Sequence, residues 1–489
     1  MSPEANMIPP QQAFTSNISL IAWLLQIIVA LLEQLQALRT KVAALDKDST
    51  CSHKPPSSDG FNKKRGASQR GSSGRKPGGQ KGHRGRTRRN VPPSEVTETI
   101  PHQPQVCEKC GAAFTEQNLS VPLERRQVWE IPEIKPLVHE HVFYQTRCDC
   151  GHTTRLPVPA WIYAGMGDNL QAHVAYFTAE AKLSRRSLQT ILNDVFHVPV
   201  ALGTIQNRLE DTSEILQPVC DELENELTVQ PVINIDETSY PQNKTLNWLW
   251  AFVTNTFVFF TIQASRGSQV LRQVLGERYD GIIICDRFSA YIKYHKDRAC
   301  GLMQFCWAHI IRDVKALKRQ LALESDQIFA VVMRKRIGSV FRLWHAHQRG
   351  KISRAQLIAA AEPIIVEMRA FVADNQKNSS PEVAKFNRQL LKRWNSLFTF
   401  IYHDGVEPTN NLAERLIRPA VQTRKISYCT RSQKGQLLRA RLLTVSQTCR
   451  IQHRNALDCY RAVIHAHRHN LTLPSLLINH KDQHLKMAA

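Results

Sequence analysis

The 489-residue sequence predicts an α/β domain interrupted by a helical insertion and preceded by two smaller pieces, a cysteine-rich module and an N-terminal coiled-coil helix. Three observations carry that expectation. Two short apolar stretches, Pro231-Val232-Ile233-Asn234-Ile235 and Gly281-Ile282-Ile283-Ile284-Cys285, each lead straight into an acid, Asp236 and Asp286. Buried strands behave this way when a site lies at the carboxyl end of a sheet. Two closely spaced cysteine pairs stand ahead of these strands, and apolar residues recur at spacings of three and four near the N-terminus. Length agrees, because single cores rarely grow beyond about 250 to 300 residues.

Charge narrows the partner class. Lys and Arg outnumber Asp and Glu by 64 to 42, a formal charge of +22, and the segment Phe61 to Asn90 carries eleven basic residues and no acid. Such a balance favours a polyanion, and nucleic acid over a membrane surface, because the basic run is not built on an apolar helix face. Met1 to Ser19 lacks the cationic start of a secretory signal. The apolar run from Ile18 to Leu32 is broken by Ser19 and Gln26, so it falls short of the roughly 18 apolar residues a membrane span needs. Only two of the twelve cysteines' spacings are close. The expected setting is therefore cytoplasmic and reducing, with cysteine serving metal or packing and not disulfides.

Residues 1–50 form the coiled-coil piece, with a seam of Ile21, Leu24, Ile28, Leu31, Leu35, Leu38, Val42 and Leu45. It predicts a homo-oligomer; the alternative is an amphipathic helix packed on its own domain. Trp23, Leu25, Ile27 and Val29 would widen the interface. Residues 51–100 are a Pro-, Ser-, Gly- and Arg/Lys-rich linker with too little apolar surface to offset the cost of ordering it. Arg75, Lys76, Lys81 and Arg84 are its candidate phosphate contacts, each steepening the salt dependence of DNA affinity by about 0.9 in log–log slope; a solvated linker is the alternative. Residues 101–158 hold Cys107-x-x-Cys110-Gly111 and Cys148-Asp149-Cys150-Gly151-His152, with 37 residues between Cys110 and Cys148. Two thiolate pairs, each followed by a turn-permitting glycine, suit a structural tetrahedral Zn²⁺ site. The second pair has one intervening residue where two are usual, so His152 is an alternative ligand to Cys148 or Cys150. Short strands are expected at Val128–Ile131 and Leu137–Phe143. Residues 159–228 read as helices. A break at Pro199 and Gly203 between Leu183–Gln189 and the Gln206-Asn207-Arg208 stretch fits either a helix-turn-helix or plain bundle packing.

Residues 229–430 make up the α/β domain. Strands at 231–236, 247–253 and 256–262, with a hairpin at Asn255, a helix over 268–277 and a strand entering Asp286 would set Asp236 and Asp286 side by side. That order of elements resembles the ribonuclease-H-like fold. Gln304 to Leu321 and most of 326–400 read as helical, so the insertion falls at about 317–400. The stretch Val406–Pro419 predicts one short helix, closed by Pro419, that offers Glu414 as a third acid; its bland reading is a capping box, Asn411-x-x-Glu414. Residues 431–489 are expected as a C-terminal helical tail. Three carboxylates at one sheet end call for a divalent cation, and carboxylate ligands suit Mg²⁺ or Mn²⁺. Asp236 would bridge two ions, with Asp286 and Glu414 completing either side, in a site suited to phosphodiester chemistry. Glu237 projects to the opposite side of its strand and is left out.

Four motifs carry a more specific resemblance. They are Ile235-Asp236-Glu237-Thr238, Cys285-Asp286-Arg287-Phe288-Ser289-Ala290-Tyr291, Cys306-Trp307-Ala308-His309 and Asn410-Asn411-Leu412-Ala413-Glu414-Arg415-x-x-Arg418-Pro419. With the Gly-Gly-Gln-Lys-Gly-His segment near residue 80 and the cysteine pairs in the same order, the chain resembles the bacterial DDE transposases of the insertion-sequence 66 family. The resemblance implies a catalytic triad of Asp236, Asp286 and Glu414 using Mg²⁺, recognition of an element's terminal inverted repeats and of target DNA, and accessory proteins encoded by the same element. It implies hydrolysis that frees a 3′-hydroxyl, followed by attack of that hydroxyl on target DNA. Arg415, Arg418, Arg424 and Lys425 would hold phosphates near Glu414, or simply face solvent; His309 would orient a ligand, or be a hydrogen-bonded core histidine. A DNA-binding protein that keeps this fold without the chemistry, and a nuclease without strand transfer, are the competing readings.

Overall fold

The computed structural model describes residues 17–45, 88–118, 120–243, 245–297, 300–320, 324–376, 380–427 and 430–478, with Gly78, Gln80, Gly82, His83 and Gly85. Arg75, Lys76, Lys81 and Arg84 lie outside the described residues. The chain forms two compact units, Lys63–Leu137 and the remainder. No described helix is long and apolar enough to cross a membrane.

Within Lys63–Leu137, Val91 and Gln127 exchange two hydrogen bonds, of 2.8 and 2.9 Å, and Arg88 lies 4.7 Å above the Trp129 ring. Cys107 opens a tight turn: its N–H donates to Ala112 and its carbonyl accepts from Gly111. Gly111, at φ +73°, supplies the left-handed backbone this turn requires. The strands expected at Val128–Ile131 and Leu137–Phe143 do not form. Their alternating residues find no partner strand, and Leu123, Val128, Ile131, Leu137 and Val138 are exposed; an unpaired strand has nothing to satisfy its backbone.

In the larger unit, helix α1 spans Asn17–Leu45, and Ile21, Leu24, Ile28, Leu31, Leu35 and Leu38 of its seam are exposed. Strands β1 (Gln145–Arg147) and β2 (Thr153–Arg155) make a hairpin around the second cysteine pair. Helices α2 (Ala160–Tyr163), α3 (Asp168–Ala179), α4 (Arg185–Asp194), α5 (Leu202–Ile215) and α6 (Gln217–Leu227) follow. The α4–α5 pair has a break between two helices, and one face of the second packs inward while Asn207 on the other is exposed. Ile205 and Leu209 are fully buried, Gln206 is bound by Arg185 and donates to Glu210, and Arg208 is paired with Asp211. Val174, Leu188, Leu209 and Leu223 belong to the same buried cluster as the sheet.

That sheet has five strands: β3 (Val232–Ser239), β4 (Trp248–Val253), β5 (Val258–Gln263), β6 (Tyr279–Cys285) and β7 (Cys300–Phe305), in the spatial order β5-β4-β3-β6-β7. β3, β4 and β5 form an antiparallel meander. Helix α7 (Ser268–Leu275) leads to β6, which returns parallel to β3, and α8 (Ser289–Lys296) leads to β7, parallel to β6. β7 corrects the expectation that Gln304 begins a helix: Gln304 and Phe305 end a strand, and α9 starts at Trp307. Its Cys-Gly-Leu-Met-Gln-Phe sequence is weakly β-forming, and the close approach of Gly301 to the backbone of Asp280 and Gly281 holds it there.

Helices α9 (Trp307–Gln320), α10 (Glu324–Gln348), α11 (Arg354–Asp374), α12 (Pro381–Leu391) and α13 (Thr399–Tyr402) fill the interval before α14 (Asn411–Ser427). α14 does not stop at Pro419 but continues through it. Proline forfeits one helical hydrogen bond, and burial of Leu416, Ile417 and Ala420 against the sheet offsets that loss. Helix α15 (Gln433–Ile451) is no free tail. On the edge strand β5, Val258 and Phe260 donate their outward N–H groups to Thr448 and Thr444 of α15 at 3.1 and 3.0 Å, covering an edge that would otherwise invite another strand. Helix α16 (Ala456–Arg468) is the last helix among the described residues.

Candidate active site

The two faces of β3 explain the site. Ile233 and Ile235 point into the main apolar cluster, so Asn234, Asp236 and Thr238 point to the other face, where α14 packs. Parallel register sets Asn234 beside Ile284. Two residues further on, Asp286 follows the end of β6 at the level of Asp236, which lies within β3 and not at its expected end, because β4 pairs with β3 as far as Ser239. Asp286 then accepts from the Phe288 N–H at 2.8 Å, an Asx turn at the start of α8.

Glu414 arrives from α14, and a residue to which the sequence reading gave no role places it. Asn410, 1% exposed, donates from Nδ2 to the Ile235 carbonyl at 2.7 Å, and its Oδ1 accepts from Asn234 Nδ2 at 3.1 Å. Its N–H donates to Cys306 Sγ at 3.1 Å, and its carbonyl accepts from the Glu414 N–H at 3.1 Å. Cys306 N–H in turn donates to the Cys285 carbonyl, next to Asp286. Asn410 is thus the N-cap, one residue earlier than the expected capping box, and Glu414 is turned away from capping. The sequence did hold a signal: Asn234 is a polar residue on the same strand face as Asp236.

The electrostatics record the crowding. Burial first, then the carboxylates of Glu237, Asp286 and Glu414, push Asp236 well above the usual carboxylate range. Burial likewise raises Glu414; Arg312 opposes the rise, and Asp286 adds to it. Glu414 Oε1 is buried with no hydrogen-bond partner; His309 Nδ1 and Arg312 Nη2 each stand 3.7 Å away. Arg312 also approaches His309 Nε2 at 3.3 Å. A guanidinium can only donate, so His309 Nε2 accepts and the ring proton sits on Nδ1, facing Glu414. Cys306, whose thiol burial pushes up to about 11, completes a Cys306–His309–Glu414 group whose ligand atoms lie within 4.8 Å of one another.

Glu237 takes the opposite side, as strand alternation requires. Its side chain is 2% exposed, Arg266 donates to its Oε1 from Nε and Nη2 at 2.9 and 2.7 Å, and the Tyr291 hydroxyl donates to its Oε2. Burial and Asp286 outweigh these partners and raise it to about 7. Arg266 is itself sandwiched over Phe288 and Trp248 at 3.9 and 4.5 Å.

Arg415, Arg418 and Lys425 are exposed on α14. Arg424 has a different use: its Nη1 donates to Thr238 Oγ1 and Ser239 Oγ at 3.1 and 2.7 Å and to the Ser239 carbonyl. With Asn410 at one end and Arg424 at the other, α14 is clasped to β3 on both sides of Asp236.

The cysteine pairs are each shaped as a knuckle. In the first, N–H groups of Cys110 and then Lys109 lower the Cys107 thiol, and in the second the Cys150 N–H and side chain lower Cys148. Gly151, at φ +87°, closes the second turn as Gly111 closes the first. Of the four, only Cys107 is partly covered.

The chain is an α/β protein whose central sheet carries a cluster of acids. Residues 164–437 match the model of the transposase IS66 family, and the chain belongs to that family. Residues 2–89 match a family of unknown function, DUF6444. Among curated proteins the chain is similar to two uncharacterized proteins of Sinorhizobium fredii. It is 28% identical to y4qI over 254 residues, 46% of this chain and 45% of that protein. It is 23% identical to y4hP over 396 residues, 73% of this chain and 69% of that protein. The first match thus spans less than half of the relative's length.

Proposed function

We propose that the chain is a DDE transposase that cleaves and transfers DNA strands with divalent metal, using Asp236, Asp286 and Glu414. One observation carries the reading: three carboxylates from β3, the β6–α8 turn and α14 come close enough that Asp286 and Glu414 raise the proton affinity of Asp236, and Asp286 raises that of Glu414. The strand order, an antiparallel meander followed by two parallel returns, supports a ribonuclease-H-like domain. Glu414 Oε1 is buried and makes no hydrogen bond, with His309 Nδ1 and Arg312 Nη2 each 3.7 Å away, which fits a metal ligand better than a structural acid because a buried carboxylate oxygen without a hydrogen bond is costly.

Asp236, Asp286 and Glu414 would hold the ions. When bound, Mg²⁺ or Mn²⁺ in such a site stabilises the attacking and leaving oxygens of an in-line displacement at phosphorus. The chain's own residues fix the acids. The Asx turn holds Asp286, and Asn410 holds Glu414 against β3. His309 and Arg312 stand behind Glu414. First water and then the freed 3′-hydroxyl attacks a phosphodiester, while exposed Arg415, Arg418 and Lys425 grip DNA phosphates. The element's inverted repeats and target DNA are the substrates. The linker residues Arg75, Lys76, Lys81 and Arg84 add non-specific affinity, Cys107, Cys110, Cys148 and Cys150 hold structural Zn²⁺, and the exposed seam of α1 joins copies of the chain in the cytoplasm. The decisive test is cleavage and joining of DNA bearing the element's ends in Mg²⁺ or Mn²⁺. Asp236→Asn is expected to abolish both while leaving DNA binding intact, and strand transfer that survives the substitution would remove the assignment.

A further inference from the structure

A second cluster of ligand atoms lies on α3 and α16, neither of which carries an acid of the sheet-end site. Asp168 opens α3, and His465 and His469 stand four residues apart at the end of α16, a spacing that puts both rings on one helix face. His465 Nδ1 is 2.7 Å from Asp168 Oδ2, and His469 Nε2 is 3.8 Å from the same oxygen. All three ligand atoms lie within 4.8 Å of one another, and the ring centroids are 4.4 Å apart.

The carboxylate is held in place from behind. Arg468, 3% exposed, donates from Nη1 to Asp168 Oδ1 at 2.6 Å and to the Met166 carbonyl at 3.0 Å, its Nη2 donates to Gln171, and its guanidinium lies 5.3 Å over the Trp161 ring. Oδ1 is therefore occupied and Oδ2 is turned toward both imidazoles. A ligating carboxylate whose other oxygen is hydrogen-bonded is the usual supporting arrangement at a metal. The rings are about half exposed, at 54% and 46%, so an ion can enter, and the last carbonyls of α16 favour a cation at that end.

We propose that Asp168, His465 and His469 bind one Zn²⁺ or a similar borderline ion, with water in the fourth position. Two imidazoles and one carboxylate select Zn²⁺, Ni²⁺ or Cu²⁺ over Mg²⁺ or Ca²⁺, and three protein ligands leave the coordination open. The ion replaces any proton shared between His465 and Asp168 and releases it to solvent. Because the ligands stand 297 residues apart in sequence, binding staples the start of α3 to the end of α16 and adds stability that rises with the logarithm of free metal.

The test uses the full chain, stripped with a chelator and titrated with Zn²⁺, against His469→Gln. That change leaves the Asp168 contacts to His465 and Arg468 in place, so the variant retains its fold, which an unchanged metal-free melting temperature checks. The expected result is one fewer tightly bound Zn²⁺ per chain in the variant, or an affinity at that site reduced by more than about 10-fold, and loss of its share of the zinc-induced rise in melting temperature. Cys110→Ser is expected to keep this equivalent. Equal zinc stoichiometry and affinity in wild type and His469→Gln, or no zinc bound by either, would show a histidine–aspartate ion pair only and overturn the site.

Discussion

Asn410→Ala separates the framework of the acid cluster from its chemistry. The amide's two hydrogen bonds, with Asn234 and with the Ile235 carbonyl, are both buried. Alanine leaves the Asn234 amide and the Ile235 carbonyl without partners, at about 1–3 kcal/mol each. The expected loss is about 2–6 kcal/mol, a large part of the about 5–15 kcal/mol by which domains are stable. The backbone bonds to Cys306 and from Glu414 survive the change, so α14 still starts there, but it is no longer pinned beside Asp236. A shift of about 1 Å in a catalytic group costs about 100-fold in rate. The assay is a urea midpoint together with metal-dependent cleavage, measured where the variant is still folded. Asn234→Ala should show part of the same loss, and the double variant should lose less than the sum, with a coupling of about 0.5–3 kcal/mol. An unchanged midpoint and unchanged cleavage in Asn410→Ala would refute the role given to this residue.

Glu237 makes the metal-free fold pH-sensitive. Its folded proton affinity is raised to about 7 from an ordinary 4.5, so between those values the folded chain binds more protons than the unfolded one, and stability falls as pH rises; thermal melts from pH 5 to 8 should show this slope, and it should flatten in Glu237→Gln. For the cysteine knuckles, Cys110→Ser should lower the zinc content of purified protein, and Co²⁺-loaded protein should lose thiolate charge-transfer absorption, whereas zinc-free wild type would dismiss a structural zinc. Removing residues 1–50 should reduce the oligomer seen by sedimentation, and a monomer both with and without them would end the case for the coiled coil.

The sheet's centre was legible because its physics is local. The runs Val232–Ile235 and Ile282–Cys285 are mostly apolar, as strands buried in a parallel pair tend to be, but only Asp286 follows the end of its strand, whereas β3 continues past Asp236 to Ser239 because β4 pairs with it there. Strand β7 was not, since Cys300–Phe305 carries little β-propensity and is held by its neighbours through Gly301 and through Thr399, which donates to the Met303 carbonyl. The expected strands at 128–131 and 137–143 failed for the opposite reason: the alternation is present and the partner is not. For the acids, residue type and the family resemblance picked out Asp236, Asp286 and Glu414, and the structure sets Asp286 and Glu414 near Asp236. The roles of Asn410 and Arg424 depend on contacts across 175 to 186 residues, which no local pattern encodes. Arg424 in particular reads as a surface charge until β3 is seen beneath it.

The placement of cations around the acids bears on what they are for. Arg266 and Tyr291 serve Glu237 on the far face of β3, and Arg312 and Arg418 temper Glu414. The largest influences on Asp236, by contrast, are burial and three neighbouring carboxylates, with no arginine among them. A fold that needed only a quiet core at this position would place an apolar residue there, as it does at Ala251 directly across the ladder. Retaining an acid where burial and like charge both oppose its ionisation is destabilising for the chain alone. The cost makes sense if a cation enters with the substrate, and this predicts that Mg²⁺ raises the melting temperature of wild type more than that of Asp236→Asn, while Asp236→Asn is the more stable of the two without metal. If Mg²⁺ stabilised both equally, or if the substitution weakened the metal-free fold, Asp236 would be a structural acid and the site would have to be sought elsewhere.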